Sequence, residues 1–384
     1  MTKSPHVFVA LSLGLAGCQT LATNALNPQA SPSPTPSATA TPSVAATPAP
    51  GATEAPEVRF WETTGSATAS FLVMHGLGQT VERVDPATGK LTRLFETGKW
   101  PNQLVRIGSS LMTVESNEAK LAVGPFSAPA IERRISLELG SNPMEVIEAG
   151  SDEVLVSSVM VKKAFLVRLS DGTTLKTLDL PGGHQTQGAM ARLDNRIYMA
   201  AADTSYESTP PYAATTTWSG IQVYDIDQKA FVAPISLETT VTPWAIATLP
   251  SKRLAVGTVS GGLIVDPKEA MVTATLDAGA RFASIAVDGD GKGWAGLGAS
   301  VDGKSLGSGL VRFDPTSGQI LTDSRKDWSA SPGDTSASRL VVKGKYAWVP
   351  NFGEDKVTVM DLASASVVSR TDVGDGPQAL VLED

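Results

Sequence analysis

Residues 338–377 read SRLVVKGKYAWVPNFGEDKVTVMDLASASVVSRTDVGDGP, and their grammar decides the fold. Strands are expected at Arg339–Val342, Tyr346–Pro350, Lys356–Asp361 and Ser366–Val373. The turn Lys343-Gly344, a loop and a second turn separate them, and Gly376-Pro377 opens the next unit. Short β-rich runs broken by turn signals every ~8–12 residues mark an all-β repeat.

The unit recurs along the chain. Third-strand-plus-turn segments appear as VERVDPATGKL (81–91), LAVGPFSAPAI (121–131), FLVRLSDGTTL (165–175), IQVYDIDQKAF (221–231), GLIVDPKEAMV (262–272), LVRFDPTSGQI (310–320) and VTVMDLASASV (357–367). Several end in Asp followed by Pro, Ser or Gly, which suits a type I turn. First strands align independently at Leu104-Val105, Val146-Ile147, Met190-Ala191, Ile246-Ala247, Ile285-Ala286, Leu340-Val341 and Leu380-Val381. Both positions are apolar in every copy, so this strand is expected to be buried on both faces, as the innermost strand of a propeller blade.

The two ends fix the topology. The chain stops after a lone first strand, Gln378–Glu383, while the N-terminal unit offers Phe71–His75, Thr80–Asp85 and Lys90–Thr97 without one. Joining them completes a blade and leaves no open sheet edge. The expected fold is all-β: a seven-bladed β-propeller of four-stranded blades over residues 58–384, closed by pairing the C-terminal strand with the N-terminal blade.

Tyr346-Ala-Trp-Val-Pro-Asn351, Val357-Thr-Val-Met-Asp361 and Val373-Gly-Asp-Gly-Pro377 resemble the YVTN repeat of YncE-like and surface-layer propellers. Pro350 replaces the motif Thr, and the other six copies are degenerate. The resemblance implies an extracytoplasmic propeller. It implies little about activity, since this fold, like the related WD40-type repeat, hosts binders, scaffolds and enzymes.

The N-terminus reads as an address. Lys3 and the α-amino group precede an apolar run, Val7–Leu15, too short for the ~20 residues of a membrane-spanning helix. Leu15-Ala16-Gly17-Cys18 resembles the lipobox of bacterial lipoproteins. That resemblance implies a signal peptide over 1–17 and a diacylglycerol thioether on Cys18, the only cysteine in the chain. It implies a lipid anchor in the cell envelope. Gln19 is not the Asp that retains some lipoproteins at the inner membrane, so the outer membrane is expected where the cell has one, and otherwise the outer face of the cytoplasmic membrane. Residues 18–57, rich in Pro, Ser, Thr and Ala and uncharged from Gln19 to Thr53, are expected to form a disordered or PPII-like tether. At ~3.1 Å per residue it would reach up to roughly 100 Å.

Composition excludes several classes. Thirty-nine acids against 31 bases give a net charge of −8, unsuited to neutralising nucleic-acid phosphates. Three His and one Cys leave multi-His metal centres, zinc ribbons and disulfide frameworks without ligands, and no cofactor is expected. No G-x-S-x-G, H-E-x-x-H, Walker or Rossmann pattern occurs, so no catalytic residue is assigned. Asp288-Gly-Asp-Gly-Lys-Gly293 has the look of a calcium loop but lacks its distal Glu, and reads as a hairpin turn.

Unit length points to a site. The fourth and sixth units are longer than the rest, with extra residues at Asp203–Trp218, Ala299–Ser308 and Ser329–Ser338. The first two join second to third strands and the last joins blades, so all three decorate one face, at the channel mouth. Loops on a rigid scaffold concentrate recognition residues. Candidate binding residues there are Trp100, His184, Tyr206, Tyr212, Trp218 and Trp244. Packing between blades is the competing reading for Trp100 and Trp244. His75 reads as a satisfied polar residue at a strand end, and His6 belongs to the signal peptide. Arg106, Glu148 and Arg192 share one repeat column and suit either an inter-blade ion-pair network or the far end of the channel. The expected function is non-catalytic binding of an envelope protein, peptide or glycan through this face. The alternatives are a lyase or lactone hydrolase with a carboxylate-based funnel site, and a structural surface-layer protein.

Overall fold

The computed structural model describes residues 69–85, 88–206, 214–237, 241–298, 308–335 and 339–383. The expected signal peptide, Cys18 and the expected tether fall outside the described residues, as do Tyr212, the side chain of Tyr206 and most of the 299–308 insertion.

Among the described residues, twenty-eight strands form seven antiparallel four-stranded sheets arranged as a propeller. Blade 1 joins the two ends of the chain: β28 (Pro377–Leu382) is its inner strand, followed outward by β1 (Phe71–His75), β2 (Thr80–Asp85) and β3 (Lys90–Glu96). The closing register pairs Leu72 with Val381 and Val73 with Leu380. Arg83 fastens the seam by donating two bonds from Nε and one from Nη2 to the Glu383 carboxylate, at 2.7–3.0 Å. Blades 2 to 7 each take four consecutive strands. Their inner strands are β4 (Pro101–Ile107), β8 (Pro143–Glu148), β12 (Thr186–Leu193), β16 (Pro243–Thr248), β20 (Arg281–Val287) and β24 (Val341–Lys343).

Hydrophobic packing follows the ring. Among the described residues, seven apolar clusters each span one blade–blade interface. In one, Met112, Val114 and Leu121 of blade 2 meet Val154, Val156 and Phe165 of blade 3. Alternate residues of a middle strand point into the two neighbouring interfaces, so middle strands are apolar and buried throughout, as in Phe71–Met74. The inner strand departs from the expectation of burial on both faces. Both members of the pair are buried only in blade 4, at Met190 and Ala191; the first is buried and the second half-buried at Leu104-Val105, Val146-Ile147, Leu340-Val341 and Leu380-Val381, and both are half-buried at Ile246-Ala247 and Ile285-Ala286.

The repeated Asp at the end of the third strand builds the outer turn. Oδ1 of Asp266 accepts the N–H groups of Lys268 and Glu269, Oδ1 of Asp314 those of Thr316 and Ser317, and Oδ1 of Asp361 those of Ala363 and Ser364. In Asp314 and Asp361 the other carboxylate oxygen takes the lysine just before the second strand of the same blade, Lys292 at 2.6 Å and Lys345 at 2.7 Å. The Lys292 hydrogen bond lowers the Asp314 pKa to about 2.

A second repeat device was not anticipated. In four blades the last residue of the second strand carries a polar side chain that contacts the connection entering its own blade. Asn351 Nδ2 donates to Pro332 O at 3.0 Å and Asp334 O at 3.1 Å, and its Oδ1 accepts from Thr358 at 2.6 Å. Glu115 accepts the Gly98 N–H at 2.7 Å and pairs with Arg134 at 3.0 Å, and Ser158 donates to Ser141 O. His75 holds the same place in blade 1, fully buried, with Nε2 3.1 Å from Glu82 and its ring against Gly374. Burial lowers its pKa below 6.5, opposed by the nearby Glu82 carboxylate.

Two insertions differ from the loops expected. Asp203–Trp218 is largely strand: β13 (Arg196–Tyr206) and β14 (Ala214–Asp225) extend past their neighbours as a two-stranded ribbon. In the Ser329–Ser338 insertion the described residues, 329–335, form a strap. After a one-turn helix, Ser324–Asp327, the chain at 332–335 is buried between blades 6 and 7, where Thr335 Oγ1 donates to Leu297 O and accepts from Gly309 N–H. Gly333, at φ +83°, is needed there, since a Cβ would sit 2.5 Å from Asn351 Nδ2.

Candidate functional site at the channel mouth

The ribbon, the strap and the blade-to-blade connections lie on the face where the inner strands begin. Six inner strands open with a break in register: after Pro101, Pro143, Thr186, Pro243 and Phe282, and after Pro377 opposite His75. Four of these positions are proline, which has no N–H to lose from the ladder, and a bulge beside it re-aims the next side chain. Asn102, Trp244 and Gln378 are such residues. Gln378 Nε2 donates to Asn102 Oδ1 at 3.1 Å, and Asn102 Nδ2 reaches Met144 Sδ at 2.9 Å, linking blades 1, 2 and 3.

One step inside the bulge lies a repeat column of Gln103, Glu145, Ala189, Ala245, Ser284, Arg339 and Ala379, each just before the paired apolar positions. Its polar members tie blade to blade. Gln103 Oε1 accepts Val146 N–H at 2.6 Å, Glu145 Oε2 accepts Met190 N–H at 2.8 Å, and Ser284 Oγ accepts Leu340 N–H at 3.4 Å. The side chains of Glu145 and Arg339, from blades 3 and 7, meet across the axis at 2.5 Å. Four of the seven positions are Ala or Ser, which leaves room at the centre for that pair. Sequence reasoning passed over this column. Its signal was one acid and one base among small residues, directly beside the paired apolar positions.

The ribbon carries the other part of the site. His184, in the connection entering blade 4, lies flat on Trp218 of β14, with ring centroids 3.6 Å apart and planes 3° from parallel. Its Nδ1 is 2.6 Å from Asp203 Oδ2, and Asp203 Oδ1 accepts Gln185 N–H at 3.0 Å. Gly182, at φ +72°, lies against the imidazole, and a Cβ there would come within 2.5 Å of Nε2. On the opposite side the hydroxyls of Thr204, Thr216 and Thr242 form a triangle with edges of 3.0–3.4 Å, tying the ribbon to blade 5. The base of the ribbon is therefore held by groups from two blades.

The structure brings together His184 and Trp218 among the expected binding residues. Trp244 lies half-buried at the bulge of β16, with the Arg281 guanidinium 5.4 Å from its ring centroid, which joins blades 5 and 6. Trp100 is half-buried before β4, at φ +55°, and its carbonyl accepts the Ser116 N–H. Tyr206 belongs to β13, and Tyr212 falls outside the described residues.

On the opposite face, Arg192 pairs with Glu148 at 3.2 Å between blades 4 and 3, whereas Arg106 stacks over Phe126 at 4.2 Å, so the third member of that column is not in the network. Two hollows of about 260 Å³ lie there, between blades 3 and 4 and between blades 6 and 7. Their carboxylates have partners: Glu153 pairs with Lys229 at 2.6 Å, and Asp288 with Arg312 at 2.9 Å. Asp288 Oδ1 also accepts the N–H groups of Asp290 and Lys292, so 288–293 is a hairpin turn pinned by an arginine.

Solved structures with the same architecture include AztD from Citrobacter koseri in its apo form, at 14% identity and TM-score 0.53, covering 82% of this chain and 98% of that one. Dihydro-heme d1 dehydrogenase NirN in complex with DHE matches at 13% identity and TM-score 0.55, covering 86% and 78%. A Bacteroides fragilis protein named as a candidate 6-phosphogluconolactonase matches at 14% and 0.55, covering 84% and 99%. At these identities the likeness is one of fold. No family model and no curated protein sequence matches the chain.

Proposed function

We propose that the protein is a lipid-anchored envelope propeller that binds a protein, peptide or glycan through the face bearing the ribbon and the channel mouth. The observation that carries this reading is the ribbon itself: it projects beyond the blade, yet its base is fixed by the His184–Trp218 stack, the Asp203 carboxylate and the threonine triangle. A projecting element of fixed geometry loses little conformational freedom on binding. The anchor reading rests on the lipobox-like Leu15–Cys18, and places the protein in the outer membrane or on the outer face of the cytoplasmic membrane.

Replacing Thr204–Thr217 with a two-residue Asn-Gly turn tests the site. Capture of envelope components by the immobilised protein should be abolished with the melting temperature unchanged, and unchanged capture would refute the assignment. Cys18→Ser tests the anchor, because the protein should leave the membrane fraction, and persistent association overturns it.

The catalytic reading has one observation in its favour. Asp203 orients His184 as it would a general base. The carboxylate at the axis favours binding instead, since Glu145 is already bonded to Arg339 and Met190 N–H. Hydrolysis of a δ-lactone lost in His184→Gln would establish the catalytic reading.

A further inference from the structure

The geometry points to Arg339 as an oxyanion-recognition residue on the channel axis, so that the ligand of this face carries a carboxylate or phosphate group. This deepens the binding reading above and rests on it only for the choice of face.

Three features support the assignment. Arg339 gives Glu145 a single N–H, from Nη2, and its backbone N–H goes to Gln378 O. A guanidinium has five N–H donors in a planar fork, so, among the described residues, one bidentate edge of Arg339 remains for a second oxyanion. The side chain is also 37% exposed while Glu145 is 9% exposed, which turns the arginine toward solvent and the carboxylate into the wall. Finally, Ala189, Ala245, Ser284 and Ala379 of the same column are small, and its remaining member, Gln103, is buried with its Oε1 on Val146 N–H. Glu145 then acts as a positioning residue. Held by Met190 N–H at 2.8 Å, it keeps the guanidinium at the axis without occupying its whole fork.

A pair serving only as a strut across the channel makes different demands. A strut needs both charges equally, whereas a binding arginine needs its counter-ion only for placement. Glu145 is also an intramolecular competitor for the fork, so neutralising it should free N–H donors for ligand.

The test uses the full chain in detergent, with binding followed calorimetrically and by melting temperature at fixed ionic strength. Sodium galacturonate, inorganic phosphate and uncharged galactose are the probes, and sodium chloride maintains the ionic strength. Galacturonate or phosphate should bind and galactose should not, and the stronger of the two anions identifies the oxyanion. Arg339→Gln should weaken binding at least tenfold, and Arg339→Lys, which keeps the charge but loses the fork, nearly as much. Glu145→Gln should bind as well as the parent or up to severalfold more tightly. The proposal is overturned if neither anion binds above the chloride control. It is equally overturned if a folded Glu145→Gln loses binding as completely as Arg339→Gln. Because none of these probes depends on the ribbon, failure here leaves the ribbon-shortening result to stand or fall separately.

Discussion

The imidazole of His184 and the indole of Trp218 are stacked 3.6 Å apart, and the Asp203 carboxylate fixes the azimuth of the imidazole. This pairs a residue from a blade connection with one from the projecting ribbon. A stacked aromatic pair contributes about 0.5–1.5 kcal/mol beyond its buried area. His184→Ala should therefore cost the domain about 1 kcal/mol and uncover one face of Trp218. The expected readout is greater acrylamide quenching of tryptophan fluorescence, with little change in melting temperature. Asp203→Asn, which keeps one acceptor oxygen, should give a smaller change in quenching. If His184→Ala leaves quenching as it was, the ribbon is not held by the stack.

Asn351 offers a sharper test of the clasp that joins the second strand to the incoming connection in four of the blades. Its amide donates to two carbonyls, Pro332 O and Asp334 O, and the residue is completely buried. Asn351→Ala leaves both carbonyls and the Thr358 hydroxyl without this partner, each at about 1–3 kcal/mol when unsatisfied and buried. A loss of about 3 kcal/mol in urea unfolding is expected. Asn351→Asp should be at least as damaging, because it places a carboxylate against two carbonyl oxygens. A loss below about 0.5 kcal/mol in both variants would remove the clasp from the stability argument.

The difference between what the sequence disclosed and what it hid has a physical origin. Blade number and closure were readable because the paired apolar positions and the Asp-headed turns answer to local rules, those of strand burial and turn geometry. Three strand limits, Phe71–His75, Thr80–Asp85 and Lys356–Asp361, agree with the residues expected. The lengthened fourth unit was visible as surplus residues. Its form as a ribbon was not, because Asp203–Trp218 contains Pro210-Pro211 and has no apolar alternation to announce strands. The site was harder still. Glu145 and Arg339 are 194 positions apart, and His184 and Asp203 belong to different elements. Such pairs are made by the ring, and only a column-by-column alignment of the blades would have placed the first of them at one level.

Ring closure makes its own demand on stability. Removing residues 377–384 deletes β28, and with it the pairing to β1, the buried Ala379 and Leu380, and the Arg83–Glu383 bridge. Blade 1 would be left with β1 as an unpaired inner edge, a template for aggregation. The shortened chain should lose its single cooperative unfolding transition and aggregate, whereas Glu383→Gln, which removes only the partly exposed bridge, should cost no more than about 1 kcal/mol. A soluble truncated chain with an unaltered transition would mean that closure by β28 is dispensable.

The buried His75 is expected to set the first acid limb of stability. Its folded pKa is lowered by burial below the ordinary 6.5, against the pull of the Glu82 carboxylate. Above pH 6.5 the imidazole is neutral in both the folded and unfolded chains, and its contribution is present in full. As pH falls below 6.5 the unfolded chain takes up the proton first, so stability declines, by up to about 1.4 kcal/mol per pH unit, until the folded-state pKa is reached. Carboxylates act in a separate window. Asp314, lowered to about 2 by its bond to Lys292, gives up its contribution only as pH falls from the ordinary carboxylate range toward that value. Melting temperature recorded from pH 8 to pH 5 should therefore fall in the parent before any carboxylate limb begins. In His75→Asn, which puts the Asn found at 351 into the same place in blade 1, the curve over that interval should be flatter. Equal slopes in parent and variant would show that another group controls the limb.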